Sequence, residues 1–391
     1  YANDALLYGM NNNGAIETYA ADQFDKIQQV LPKAIDAVSQ YRLTGQDSAF
    51  NLAKSRDIEV YQDQVISLVN HQIVMMPWRS IQQRKTTATV NPIQLQQANQ
   101  ISQFKLLQDG ESWETLTNRD QRHIFVNQIL SATLNRDSIQ LQSYSAVPVT
   151  DLDIQAKIKG TEQWMVLAKL DRLDAFSNVS LKLKLNDDAR FNLMDGTGSI
   201  QLKGLSQMAQ NPANLFDFKI SSATDQHVQK LNKIKAGWEL YFGKYNQESD
   251  SKWRKITPIY AREWVIMMTN LAYTLSSPEF EHLWYNHKKV MGHDFFGNAG
   301  MVDAANGYFK AEDYHRVYAE ILNRGGISLG ITSMGGGLGG GAVLGVDPWI
   351  YYGHYRWSGL GIVAHEFGHH CGSHSSAWAT GSYGFQPMIG A

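Results

Sequence analysis

The stretch Ser358-Gly-Leu-Gly-Ile-Val-Ala-His365-Glu366-Phe-Gly-His369-His370-Cys371-Gly372-Ser-His374 constrains the chain more than any other, because it sets three potential metal ligands and a carboxylate within ten residues. Residues four apart share one face of a helix, so His365 and His369 point to one side and Glu366, one step round, borders the same cleft. The segment has what that helix needs. Leu360, Ile362, Val363, Ala364 and Phe367 give it an apolar body, Ser358 is placed to cap its start, and Gly372 suits a left-handed turn at its end. Everything upstream reads as scaffold for it.

The H-E-x-x-H order fits the chemistry of a catalytic zinc site. Neutral imidazole is a good Zn²⁺ ligand, and a catalytic site keeps one position open for water whose pKa the metal lowers towards about 7. Glu366 is then the expected general base, taking a proton as the water attacks a carbonyl carbon and passing it to the leaving amine. It is not itself a ligand. Two ligands do not hold a catalytic zinc, so a third is required, either a Glu on a later helix or a His beyond a glycine turn. From His370 to Ala391 the chain has no Asp or Glu. His374, reached by the bend at Gly372, remains.

These residues resemble the metzincin metalloproteases, whose pattern is H-E-x-x-H-x-x-G-x-x-H followed by a methionine turn. His365, Glu366, His369 and Gly372 stand where the pattern puts two ligands, the base and the turn glycine. The last step departs from it, since His374 follows the glycine by two residues rather than three and Ser375 holds the usual place. The resemblance therefore implies His374 as third ligand with a turn one residue tighter. It also implies that Gln386-Pro387-Met388-Ile389 is the methionine turn, with Met388 as an apolar floor beneath the zinc. No tyrosine follows Met388 by two residues, so no tyrosine ligand is implied. His370 points about 100° away from His369 and Cys371 lies across the helix from His365, so both are expected to pack rather than ligate. His354 is a lesser candidate ligand, and His293 and His315 are expected at the surface or in packing.

A chain of 391 residues can form two or three domains. Its net charge of −2 argues against nucleic acid as the main partner. No apolar run approaches the roughly 18 residues of a membrane span, and no signal peptide is visible, although a chain that starts at Tyr1 and stops just past the motif is expected to be a piece of something longer. The single cysteine, Cys371, excludes a disulfide framework and an upstream cysteine that would block the zinc. A secreted or cell-surface bacterial protein is the setting that composition favours.

Along the chain, three- and four-residue apolar spacing predicts helices over Glu17 to Tyr41, Asp47 to Val74, Ile93 to Leu107 and Asp120 to Leu141. The period then changes to two, predicting strands over Asp153 to Ile158, Trp164 to Leu170, Val179 to Leu185 and Ser199 to Leu202. Helices are expected again over Thr224 to Tyr241, Pro258 to Leu275 and Ala311 to Leu322, and a strand over Ile327 to Ser333. Gly335 to Gly341 lacks the Gly-Lys-Ser/Thr of a phosphate loop. It is expected to be a flexible lead-in to an edge strand, Ala342 to Val346, which in zincins pairs with the substrate backbone.

The expected fold is a multidomain α+β chain: a helical domain over 1–142, a small antiparallel β module over 143–206, and a metzincin-like zinc metallopeptidase domain over 207–391, its C-terminal end missing. The expected activity is zinc-dependent endopeptidase hydrolysis of a protein or glycoprotein substrate. The alternatives are a surface adhesin with an inactive zincin domain and a zinc amidase acting on cell-wall peptide.

Overall fold

The computed structural model describes residues 64–69, 72–77, 88–90, 101–135, 138–182, 190–201, 216–248, 250–291, 302–303, 307–308, 311–340, 342–351, 357–371 and 385–390. It is a mixed α and β structure that divides into two compact units. One comprises Tyr1–Trp78, Leu107–Asn127 and Lys233–Ala391, the other Arg79–Leu106 and Gln128–Asn232.

The first unit holds the motif. Its largest sheet comprises β1 (Ile124–Phe125), β2 (Glu239–Phe242), β3 (Trp253–Arg254), β4 (Gly326–Thr332), β5 (Gly337–Gly340) and β6 (Val343–Val346). They lie in the order β5-β6-β4-β2-β1, with β3 paired to β4 at its end. β2, β4 and β6 are mutually parallel, whereas β5 runs antiparallel to β6 and forms the sheet edge. Parallel neighbours need long crossovers. The one from β2 to β4 carries three helices among the described residues, α1 (Pro258–Ser276), α2 (Pro278–Met291) and α3 (Ala311–Leu322).

The register puts Leu240, Phe242, Ile327, Leu329, Ile331, Leu344 and Val346 on one face of the sheet, and all are buried. α1 is apolar nearly all round, and 17 of its 19 residues are buried, which makes it a core helix rather than a surface one. Pro258 presets its first turn, and Pro278 follows its end. The Trp264 indole nitrogen donates to the Gly330 carbonyl at 3.0 Å, tying α1 to β4. Tyr318 on α3 donates to the Leu275 carbonyl at 2.7 Å. Two charged groups share this buried helix. The Arg262 guanidinium donates to the Leu107 carbonyl at 2.5 Å and to Asp109 at 2.7 Å, while burial pushes the Glu263 carboxyl up to about 8.

The second unit contains two four-stranded antiparallel sheets. One is ordered Ile101–Lys105, Ser177–Lys182, Ser138–Ser143, Leu130–Asn135, and the other Phe216–Ser221, Val149–Ile158, Met165–Leu173, Ala88–Val90. Ile139, Leu141, Val179 and Leu181 from the first meet Leu152, Ile154, Leu167 and Leu170 from the second in one apolar core.

Several segments differ from the sequence reading. Strands Ile101–Lys105, Leu130–Asn135 and Ser138–Ser143 stand where helices were expected over Ile93 to Leu107 and Asp120 to Leu141. A hairpin of Gln64–Val69 with Gln72–Pro77 occupies the end of the helix expected over Asp47 to Val74. Thr224 to Tyr241 is not one helix but a short one, Gln226–Leu231, capped by Asp225 and followed by β2. The helix expected over Glu17 to Tyr41 lies outside the described residues. The strands expected from Asp153, Trp164, Val179 and Ser199 are present, as are α1, α3 and β4. Among the described residues, no helix is long and apolar enough to cross a membrane.

Candidate metal centre

After β6 the chain makes a short turn at Pro348–Ile350 and then enters α4 (Trp357–Gly368), which carries His365 and Glu366. α4 begins one residue before Ser358, so Ser358 is not its cap. The helix ends at Gly368, but the His369 amide still donates to the His365 carbonyl at 3.2 Å, which keeps His369 one helical turn beyond His365. Their ring centroids lie 5.0 Å apart, edge to face. Two imidazoles in this relation can turn nitrogens towards one point beside the helix.

The opposite side of α4 is anchored in the core. Phe367 packs on Trp238 at 4.6 Å between ring centroids and on Phe385 at 5.8 Å. His370 is buried, lies 5.9 Å from the Phe367 ring, and is pushed down to about 4 by burial and by Arg324. It stays neutral and packs. Burial also pushes the Cys371 thiol up to about 12, which leaves it protonated and unreactive.

Glu366 is only 7% exposed, and what covers it is the glycine strand β5. Alternation puts Gly337 and Gly339 on the same face of β5, towards α4. A Cβ on Gly339 would stand 2.6 Å from the Glu366 carbonyl oxygen, and one on Gly337 would overlap the Glu366 side chain itself. Only glycine lets the edge strand lie this close. Burial pushes the Glu366 carboxyl up to about 7, against the Gly339 backbone, whose hydrogen bond favours the charged form.

The glycine run is also held from its other end. The Asp347 amide donates to the Gly336 carbonyl at 2.7 Å, and the Trp349 indole donates to the Gly335 carbonyl at 3.2 Å. Gly337 to Gly340 is therefore the edge strand, where a flexible lead-in was expected, and Val343–Val346 is the strand inside it.

The segment proposed as a methionine turn is a short helix, α5 (Phe385–Gly390). Met388 is buried on it, and α5 packs against α4. Gln386, on the same helix, places its amide oxygen 3.3 Å from Nδ1 of His365. The sequence reading assigned Gln386 no role. A contact across 21 residues leaves no local pattern by which to find it.

Gly372, His374, His354 and His293 lie outside the described residues, and His315 is exposed. Among the described residues no group of three His, Cys, Asp or Glu is arranged to hold a metal. The described donor set is thus two imidazoles and a neighbouring carboxylate. These fit a zinc site that takes its third ligand from elsewhere in the chain. In the second unit a hydroxyl also meets an imidazole, Ser145 and His227 at 3.1 Å, but Ser145 is buried and donates to the Val147 carbonyl at 2.6 Å, so it braces the fold. Comparison of the chain with family models, with curated proteins and with solved structures finds no match.

Proposed function

We propose that this chain is a zinc metallopeptidase in which His365, His369 and His374 hold the ion and Glu366 is the general base. The observation that carries the reading is the stacking of β5 over Glu366 one residue from His365. An extended polypeptide added to the outer edge of β5 by main-chain hydrogen bonds would run past the only described carboxylate of the H-E-x-x-H helix.

Bound zinc would supply a Lewis acid that polarises the scissile carbonyl and eases deprotonation of water. The chain's own groups do the rest. Glu366 accepts a proton as the water oxygen bonds to the carbonyl carbon, then delivers it to the amine nitrogen as the C–N bond breaks. β5 aligns the peptide, and its glycines present no side chains to obstruct the substrate's own.

The reading is tested by hydrolysis of casein and of a mucin-type glycoprotein, with peptidoglycan in parallel. Cleavage of protein that a chelator stops and zinc restores is expected, with peptidoglycan left intact. Cleavage of peptidoglycan alone would mean a cell-wall amidase, and a zinc-loaded chain that cleaves none of the three would mean a binding protein.

A further inference from the structure

We infer that Gln386 is a positioning residue that fixes the proton of His365 on Nδ1, so that Nε2 faces the cation as a lone pair. This rests on the metallopeptidase reading, and it extends that reading from the ligand helix to α5. A neutral imidazole carries one N–H, and the partner of one nitrogen decides what the other can do. The Gln386 amide oxygen is an acceptor only, so at 3.3 Å from Nδ1 it selects the tautomer with hydrogen on Nδ1. Ligating histidines commonly have such an outer partner, and losing it weakens metal binding about 10- to 100-fold.

The position of Gln386 is built rather than incidental. Phe385 packs between Phe367 of α4 and Phe280 of α2, at 5.8 and 6.4 Å between ring centroids. Met388 and Ile389 are buried on the same short helix. The residue between these anchors is held with its side chain at the His365 ring. Sequence distance hides this, because the helix supplying the acceptor follows a long connection from the helix it serves.

The test uses the full chain labelled with ¹⁵N-histidine, the His365 signals being assigned by their loss in His365→Gln. In the metal-free wild type the ring proton should reside on Nδ1. Gln386→Met, which keeps length and loses the acceptor, should abolish that preference and weaken Zn²⁺ binding about 10- to 100-fold. Gln386→Glu should restore both, which a merely structural role would not require. If Gln386→Met does not fold, Gln386→Asn withdraws the acceptor by one carbon and serves in its place. The inference is overturned if the variant leaves the His365 proton on Nδ1, or if it moves the proton with no change in Zn²⁺ affinity. A wild-type chain that binds no Zn²⁺ sinks the metallopeptidase reading, and the tautomer comparison then still decides whether Gln386 orients His365.

Discussion

Replacing Glu366 by Gln is expected to lower peptide hydrolysis by about 10²- to 10⁴-fold while the chain keeps its metal and its fold. Glutamine has the same shape, so it can occupy the narrow space beneath Gly337 and Gly339, and its amide oxygen can still accept from the Gly339 backbone. What it cannot do is take a proton from water at neutral pH. Neither His365 nor His369 is disturbed, since the side chain leaves α4 one step round from them. The check is a comparison of kcat and bound zinc in the two proteins. A variant with near-normal turnover would place the base elsewhere. A variant that loses zinc as well would show Glu366 to be a ligand, against the assignment made to it.

Glu263→Gln is expected to stabilise the protein by about 2 to 5 kcal/mol at pH 8.5 or above and to leave it nearly unchanged near pH 4. Glu263 is buried in α1, and desolvation pushes its carboxyl from the usual 4.5 up to about 8, with Arg262 offsetting only part of the cost. Below the unfolded value both states hold the proton and the site has no influence. Between the two values the unfolded chain releases the proton while the folded chain retains it. The folded state then binds more protons, so stability falls as pH rises across this window. Above the folded value the buried carboxylate is charged and the cost is fully present. Glutamine keeps the volume and removes the titration. Urea unfolding of both proteins across this pH range measures it, and parallel stability profiles would contradict the burial of an uncompensated acid.

What the sequence revealed and concealed follows from where each signal resides. α1 is legible because a predominantly apolar stretch bounded by Pro258 and Pro278 has few alternatives. The strands starting near Asp153 and Val179 were legible by alternation. The hairpin of Leu130–Asn135 and Ser138–Ser143 alternates too, with Ile139 and Leu141 buried and Gln140 exposed between them. Its leucines and isoleucines also fall at helical spacing, so the segment supports both periods and the helical expectation competes with the strand.

The glycine run failed differently. Strand pairing is made by backbone groups, and here side chains are excluded by the close approach of Glu366, so the segment carries no apolar period to detect. At the site, local spacing was enough to set His365, Glu366 and His369 on one turn, whereas Gln386 is brought in by tertiary packing alone.

The most direct test of the metallopeptidase reading is the zinc content of the full chain, by elemental analysis, before and after chelation and after return of the metal. One equivalent of Zn²⁺ per chain is expected, lost to chelator and regained, with His369→Ala and His374→Ala each weakening its retention to a similar degree. A folded chain that takes up no zinc from a stoichiometric excess would contradict the reading outright.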